Sequence, residues 1–434
     1  MTKTAIRGGT VLDEAGQRRV DVVVDDATGR IVAVGDGLVT DWDATLDAEG
    51  CFIVPGFVDL HVHLRQPGLE AAETIESGSR AAALGGFTAV VAMPNTTPCM
   101  DSAAVISEVI GYGRRALCEV KPSAAITVGR DGETLAPMGE LAQLGVRMFT
   151  DDGTGVQDAQ LMRRALEYAG SMVVDEGGPI VLSQHCEVTA LSQGGVMNEG
   201  AWSSRLGLGG QPAEAEELMV ARDIALSRLT GVRVHMQHLS TAGSVALIRA
   251  AKAAGHPVTA ESAPHHFTLT DAECASYNPV YKVHPPLRTA ADVEAVREGL
   301  RDGTIDAIAT DHAPHTRDSK ERPFDAAPPG MIGLETAYAV ANTELDLDTA
   351  DLVRLLSTSP ARIAGLAHRH GCPIEPDRPA NLAVVDPNHA WTIDRDDQAS
   401  LSNNTPFHGR EVKGKVRHTV FDGEAVVIDG KAVR

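Results

Sequence analysis

His61 and His63 stand two residues apart in the run Pro55-Gly56-Phe57-Val58-Asp59-Leu60-His61-Val62-His63-Leu64-Arg65. Apolar residues alternate there with Asp59, His61 and His63, which is the period of a β-strand. Both imidazoles then point to one side and can hold one metal ion. Four more metal-type side chains, Asp152, His185, His238 and Asp311, each lie at or just past the end of a separate apolar run. One such residue is ordinarily structural; six at strand ends read as a ligand set. Four imidazoles and two carboxylates suit zinc or a neighbouring first-row ion, and they exceed what one catalytic zinc takes. They predict two ions sharing a bridging carboxylate and a hydroxide.

The elements that must position these residues can be read from the same pattern. Strands are expected over 57–63, 87–93, 123–128, 146–150, 180–185, 232–238, 257–262 and 305–311. Helical stretches lie between most of them, such as 73–84, 213–229 and 244–254, followed by the stop signals Gly85, Gly231 and Gly255. Eight strands alternating with helices predict a (β/α)₈ TIM-type barrel over 56–371, with its site at the C-terminal ends of the strands. A doubly wound open sheet is the alternative, but no GxGxxG opens the first βα unit. Both chain ends are β-rich, as in Val20-Asp21-Val22-Val23-Val24 and Asn381-Leu382-Ala383-Val384-Val385. They predict a small β-sandwich formed by both termini, residues 1–55 plus 372–434. Residues 318–330, rich in Pro and charge, read as a long loop after the eighth strand and are expected to close over a substrate.

Net charge is −21, from 38 basic and 59 acidic residues. A field of that sign repels phosphate backbones and anionic surfaces, so neither nucleic acid nor membrane is expected as a partner. A small-molecule substrate is. No run of apolar residues is long enough to span a bilayer, and no secretory leader pattern opens at Met1, so a cytoplasmic location is expected. Six cysteines without CxxC spacing predict reduced thiols. Cys186, beside His185, is assigned to core packing.

The run from Pro55 to His63, with Ile308-Ala309-Thr310-Asp311-His312-Ala313-Pro314-His315, resembles the amidohydrolase superfamily. Within it, His63-Leu64-Arg65-Gln66-Pro67-Gly68, Ala92-Met93-Pro94-Asn95-Thr96, Thr150-Asp151-Asp152-Gly153 and Tyr281-Lys282-Val283-His284-Pro285-Pro286-Leu287-Arg288 are similar to dihydroorotases of the bacterial class I type. The resemblance spans essentially the whole chain. It implies a hydrolase acting on a cyclic amide (EC 3.5.2.3) that interconverts N-carbamoyl-L-aspartate and L-dihydroorotate in pyrimidine (UMP) biosynthesis. It implies two Zn²⁺ per subunit, bridged by Asp152 and hydroxide, with Asp311 as general base and then acid. Substrate contacts fall to His63, Arg65, Asn95, His284 and His315 and to the backbone of Pro329 and Gly330. Arg65 offers a planar fork to a substrate carboxylate.

The sequence departs from that pattern at Gln66, at Pro329 and at His284, where Asn is usual; the imidazole of His284 is expected to add a titration near neutrality. His265 and His266, after the seventh strand, are assigned structural roles. An allantoinase- or hydantoinase-like amidase is the alternative enzyme, but members of that group bridge their metals with a carboxylated lysine at the end of strand 4, and residues 145–152 contain none. A non-catalytic barrel serving aspartate transcarbamoylase would show broken ligands, and all six are present. A homodimer and an association with aspartate transcarbamoylase remain open.

Overall fold

Short apolar runs that are buried on both faces form the ring. In the computed structural model, which describes residues 2–38, 41–172 and 178–433, the parallel strands are β1 (Phe57–Val62), β2 (Phe87–Ala92), β3 (Glu119–Pro122), β4 (Met148–Phe149), β5 (Val181–Gln184), β6 (Val234–Met236), β7 (Val258–Ser262) and β8 (Ala307–Ile308). β1 to β3 pair in sequence order, as do β4 to β8. Single parallel bridges join the two arcs, Ala124 to Phe149 on one side and Val62 to His312 on the other. The ring is thus a closed (β/α)₈ barrel. An apolar cluster of Val58, Leu60, Ala89, Val91, Met148, Val181 and Ala307 draws on five strands and packs on Ala361, Ile363 and Leu366.

Four expectations need correction. The third strand is Glu119–Pro122, paired with Ala89 to Ala92, rather than 123–128. The later run is buried, but beyond the bridge at Ala124 its backbone turns to bond a side chain: the Ile126 and Thr127 amides both donate to Asp151 Oδ1, at 2.8 and 3.0 Å. The first helix begins at Ile75, capped by Thr74, and Glu73 turns inward instead. The loop after β8 opens with a helical turn, Arg317–Lys320. β1 is also not a plainly alternating strand. Its ladder with β2 shifts register between Asp59 and Val62, and such a bulge re-aims side chains beside a site.

The termini supply two sheets. One has the order Arg30–Gly35, Asp21–Asp25, Lys3–Arg7, Ala44–Asp47 and belongs to the N-terminal segment alone. The other has seven strands, in which Leu382–Thr392 and Glu411–Phe421 join Phe52–Pro55 and Thr10–Asp13. Ile6, Val22, Val24, Leu46, Ile53, Leu382 and Val420 share one buried cluster between them. We propose unit boundaries at 1–55 plus 372–434 and at 56–371. Part of the C-terminal segment returns to the barrel, where buried Ser400, Ser402 and Asn404 approach its mouth. The six cysteines are all free thiols. Among the described residues, no helix is long and apolar enough to cross a membrane.

Candidate metal centre and active-site cavity

The six expected ligands converge at the C-terminal ends of the strands, all buried. His61 Nε2 lies 3.3 Å from Asp152 Oδ1 and 3.5 Å from Asp311 Oδ1. His63 Nε2 lies 3.1 Å from Asp311 Oδ1 and 3.6 Å from Asp152 Oδ2. His185 Nδ1 is 2.9 Å from His238 Nε2 and 3.5 Å from Asp152 Oδ1. Asp152 therefore touches both halves of the set. Two triads, His61–His63–Asp311 and His61–Asp152–His238, bring their ligand atoms within 4.8 Å of one another.

Whether these residues fit a metal is decided by their outer nitrogens. His61 Nδ1–H donates to Glu261 Oε1 at 2.9 Å, His63 Nδ1–H to Asn95 Oδ1 at 2.9 Å, and His185 Nε2–H to Glu187 Oε2 at 3.2 Å. Each acceptor fixes a tautomer whose lone pair faces Asp152 and, for His61 and His63, Asp311 as well. His61 Nε2 is left buried with no hydrogen-bond partner, and His185 Nδ1 and His238 Nε2 face each other with one proton at most between them. A cation satisfies these nitrogens together. The field agrees. Burial works against charge on His61, but Asp152 and Asp311 outweigh it and hold its pKa well above the ordinary value. Burial also opposes ionisation of Asp152, yet the surrounding imidazoles, His61 first, hold it well below the usual range. Such a cluster draws in positive charge.

Glu261, Glu187 and the buried Asp59 were not singled out by the sequence. Glu261 Oε2 also accepts from His235 Nε2–H at 3.0 Å; burial raises its pKa, but His235 and His61 bring it down to about 2. Its position in the alternating run Val258-Thr259-Ala260-Glu261-Ser262 was the available signal. Asp59 Oδ1 accepts from the amides of His61 and Thr310, at 3.0 and 3.1 Å, and ties β1 to the end of β8. Asp151, next to Asp152, faces the other way and receives the Ile126 and Thr127 amides and the Thr127 hydroxyl. Gly153, at φ +85°, turns the chain directly after Asp152. His238 and Asp311 sit at φ +33° and +46°, a conformation costly for side-chain-bearing residues and one that sites retain when the surroundings dictate it.

A cavity of about 250 Å³ opens over the cluster, and every expected substrate contact lines it: His63, Arg65, Asn95, His284, His315, Pro329 and Gly330. Arg65 Nε donates to the Pro314 carbonyl at 3.0 Å, and burial brings its pKa to about 10. The Asn95 amide is engaged at both ends, donating also to Asp152 Oδ2 at 3.2 Å. His315 Nε2–H donates to the Pro329 carbonyl at 2.8 Å. The Gly330 amide donates to the Lys282 carbonyl at 2.9 Å. Gly330 is required here: at φ +141°, a Cβ would lie 2.8 Å from His315 Nε2. His284 corrects an expectation. Gln211 Nε2–H donates to its Nε2 at 3.0 Å, and burial pushes its pKa down to about 4, so it stays neutral near pH 7. His265 and His266 pack ring to ring at 4.3 Å, outside the residues that line the cavity.

Barrel and ligands together define a metal-dependent amidohydrolase. A family model described as "Amidohydrolase family" matches residues 197–426, and one described as "Dihydro-orotase-like" matches residues 50–244. Dihydroorotases from Pelotomaculum thermopropionicum and Streptomyces coelicolor are 50% and 48% identical to this chain, over 98% and 99% of it and 99% and 100% of their own lengths. One from Mycobacterium tuberculosis is 47% identical over 95% of this chain and 96% of its own. The chain belongs to the dihydroorotase family. Among solved structures, an L-hydantoinase (dihydropyrimidinase) from Arthrobacter aurescens superposes with TM-score 0.88 at 24% identity, covering 100% of this chain and 98% of that one. A D-hydantoinase from Bacillus sp. AR9 does so with TM-score 0.84 at 25% identity, covering 99% and 96%. The first of these likenesses concerns the fold.

Proposed function

We propose that this site closes N-carbamoyl-L-aspartate to L-dihydroorotate and reopens it, the cyclic-amide step of pyrimidine biosynthesis. The observation that carries the reading is Arg65, whose guanidinium faces a cavity beside the ligand cluster and has no carboxylate partner among the described residues. A substrate carboxylate completes that fork.

His61, His63, Asp152, His185, His238 and Asp311 would hold two zinc ions, with Asp152 as the shared carboxylate. When bound, the ions supply an activated water at neutral pH and polarise the amide carbonyl. Asp311 is kept ionised by His61 and His63 although burial opposes it. In ring opening it accepts the proton of the attacking water and returns it to the departing ring nitrogen; closure runs these transfers in reverse. His63, Asn95, His284 and His315 orient the ring and its carboxylate, and Pro329 and Gly330 wall the site from solvent. Asp152 stands where a lysine-bridged hydantoinase-like site would need its lysine, which disfavours that alternative. Within this reading the enzyme works in the cytoplasm on a small-molecule substrate. A homodimer and an association with aspartate transcarbamoylase are the assemblies to look for.

Ring opening of L-dihydroorotate, allantoin and hydantoin by the metal-loaded protein tests the reading. Turnover of dihydroorotate well above the other two is expected; preference for allantoin or hydantoin would overturn it.

A further inference from the structure

Lys320 lies in the segment after β8, outside the set of residues assigned to the reaction. Its Nζ donates to the carbonyls of Pro328 and Gly330, each at 3.0 Å, and approaches that of Lys282 at 3.4 Å. Among the described residues no carboxylate pairs with it. This is unusual for an inward-turned ammonium, which costs free energy to desolvate unless a counter-charge or several dipoles compensate it. Here backbone dipoles alone oppose that cost and offset it only in part: burial, and then the charge of Lys282, bring the Lys320 pKa down to about 7. Lys282, itself buried, gives its Nζ to the carbonyl of Asp325 at 2.8 Å, so it brings a second positive charge to the same wall.

The carbonyls that Lys320 holds are those of the cavity wall. The Pro328 carbonyl takes Lys320, the Pro329 carbonyl takes His315, and the Gly330 carbonyl takes Lys320 and, at 3.1 Å, Asn404 Nδ2. Three consecutive peptide groups are thereby fixed by three side chains, two from the segment after β8 and one from the C-terminal segment. The charge also reaches the cavity. Burial comes first in holding His315 unprotonated, and the positive charges of Arg65 and Lys320 add to it. Arg65 and His315 both line the cavity.

We infer that Lys320 is a positioning residue for an anionic substrate: its amino group pins peptide groups 328–330 against the cavity and has no carboxylate among the described residues to pair with behind them. This rests on the reading that the substrate carries a carboxylate. A lysine that only propped the loop would be better served by a carboxylate partner. An anion arriving at this poorly solvated wall favours the protonated form of Lys320, and the attraction between the two is strong there.

The test uses the full-length metal-loaded enzyme, with K320M and K320R beside wild type. For L-dihydroorotate, K320M is expected to raise KM about tenfold, the scale of one lost charge-assisted hydrogen bond, with kcat within about threefold. K320R keeps the charge and is expected to recover at least half of that loss on a logarithmic scale. Hydrogen exchange of the 321–331 amides without substrate should accelerate in K320M. Unchanged KM in K320M, with wild type active, would overturn the proposal whatever the exchange does. So would equal damage by K320R and K320M, which is what a mere prop predicts, or exchange in K320M identical to wild type. A wild-type enzyme unable to open dihydroorotate would instead sink the assigned reaction, and this inference with it.

Discussion

The floor and the rim of the cavity are built on different principles. The floor is rigid and electrostatically closed. Its imidazoles ride on strand ends, and three of the four are aimed by an acceptor on their outer nitrogen: Glu261, Asn95 or Glu187. The rim is made of loop backbone held by side chains, with Lys320 and His315 of the same segment and the distant Asn404 each gripping a carbonyl of 328–330. Chemistry that needs sub-ångström placement sits on the sheet, where neighbouring strands fix every backbone group. The cavity-lining loops sit where exchange can alter them without disturbing the His and Asp cluster.

The largest expected effect separates two neighbouring floor residues. Asp152→Ala should lose the paired metal centre and about 10²–10⁴-fold in kcat, the scale of the roughly 3–5 kcal/mol cost of removing one member of a buried charged cluster. Asp151→Ala should keep its metals. It strands the Ile126 and Thr127 amides and should therefore cost stability instead, about 2–4 kcal/mol by denaturant titration. Reversed metal contents in the two variants would break the assignment of the bridge. An aspartate bridge needs no carbon dioxide, so recovery of metal-free protein with zinc should not depend on bicarbonate.

Arg65→Lys tests where floor meets rim. It keeps the charge but loses the fork, and kcat/KM for dihydroorotate should fall by about 1.5–3 kcal/mol in transition-state stabilisation. Unchanged kinetics would show that Arg65 does not hold the substrate. Glu261→Gln asks whether the floor depends on its outer acceptors. Glu261 accepts from His61 and His235 on separate oxygens; an amide has an oxygen at only one of those positions, and zinc affinity, read by chelator competition, should drop about 10–100-fold. Retained affinity would reduce Glu261 to packing.

At the rim, Asn404→Ala should leave metal content intact and lower kcat/KM by about 1 kcal/mol, the scale of one hydrogen bond. Loss of metal in that variant would mean that rim and floor are not separable. The smallest effect concerns pH. The pKa of His284 is lowered to about 4 from 6.5. The unfolded chain takes up this proton as pH falls through 6.5 and the folded chain does not. The associated stability is therefore complete above pH 6.5 and is lost as pH falls toward 4. Between about pH 6 and 8 the imidazole stays neutral, so the kcat/KM ratio of wild type to His284→Asn should be flat. A step in that ratio near neutrality would restore the titration expected from an ordinary histidine.

The sequence pointed to the six residues that the fold brings together because a candidate metal ligand at a strand end is a local signal, made of residue type, period two and a following turn. It also separated Asp152 from Asp151, because adjacent residues of an extended chain face opposite sides. It misplaced the third strand, because 123–128 is as apolar as a strand but gives its amides to Asp151, a pairing that only the folded chain specifies. The tautomers depended on contacts just as remote. His61 and Glu261 are 200 positions apart, and no local pattern links them. The proton state of His284 was set by burial and by Gln211, and the rim by Lys320 and Asn404. Residue identity and spacing determined which groups could do the chemistry. Desolvation and long-range hydrogen bonds, which exist only once the barrel closes, decided the protonation state and direction in which each is held.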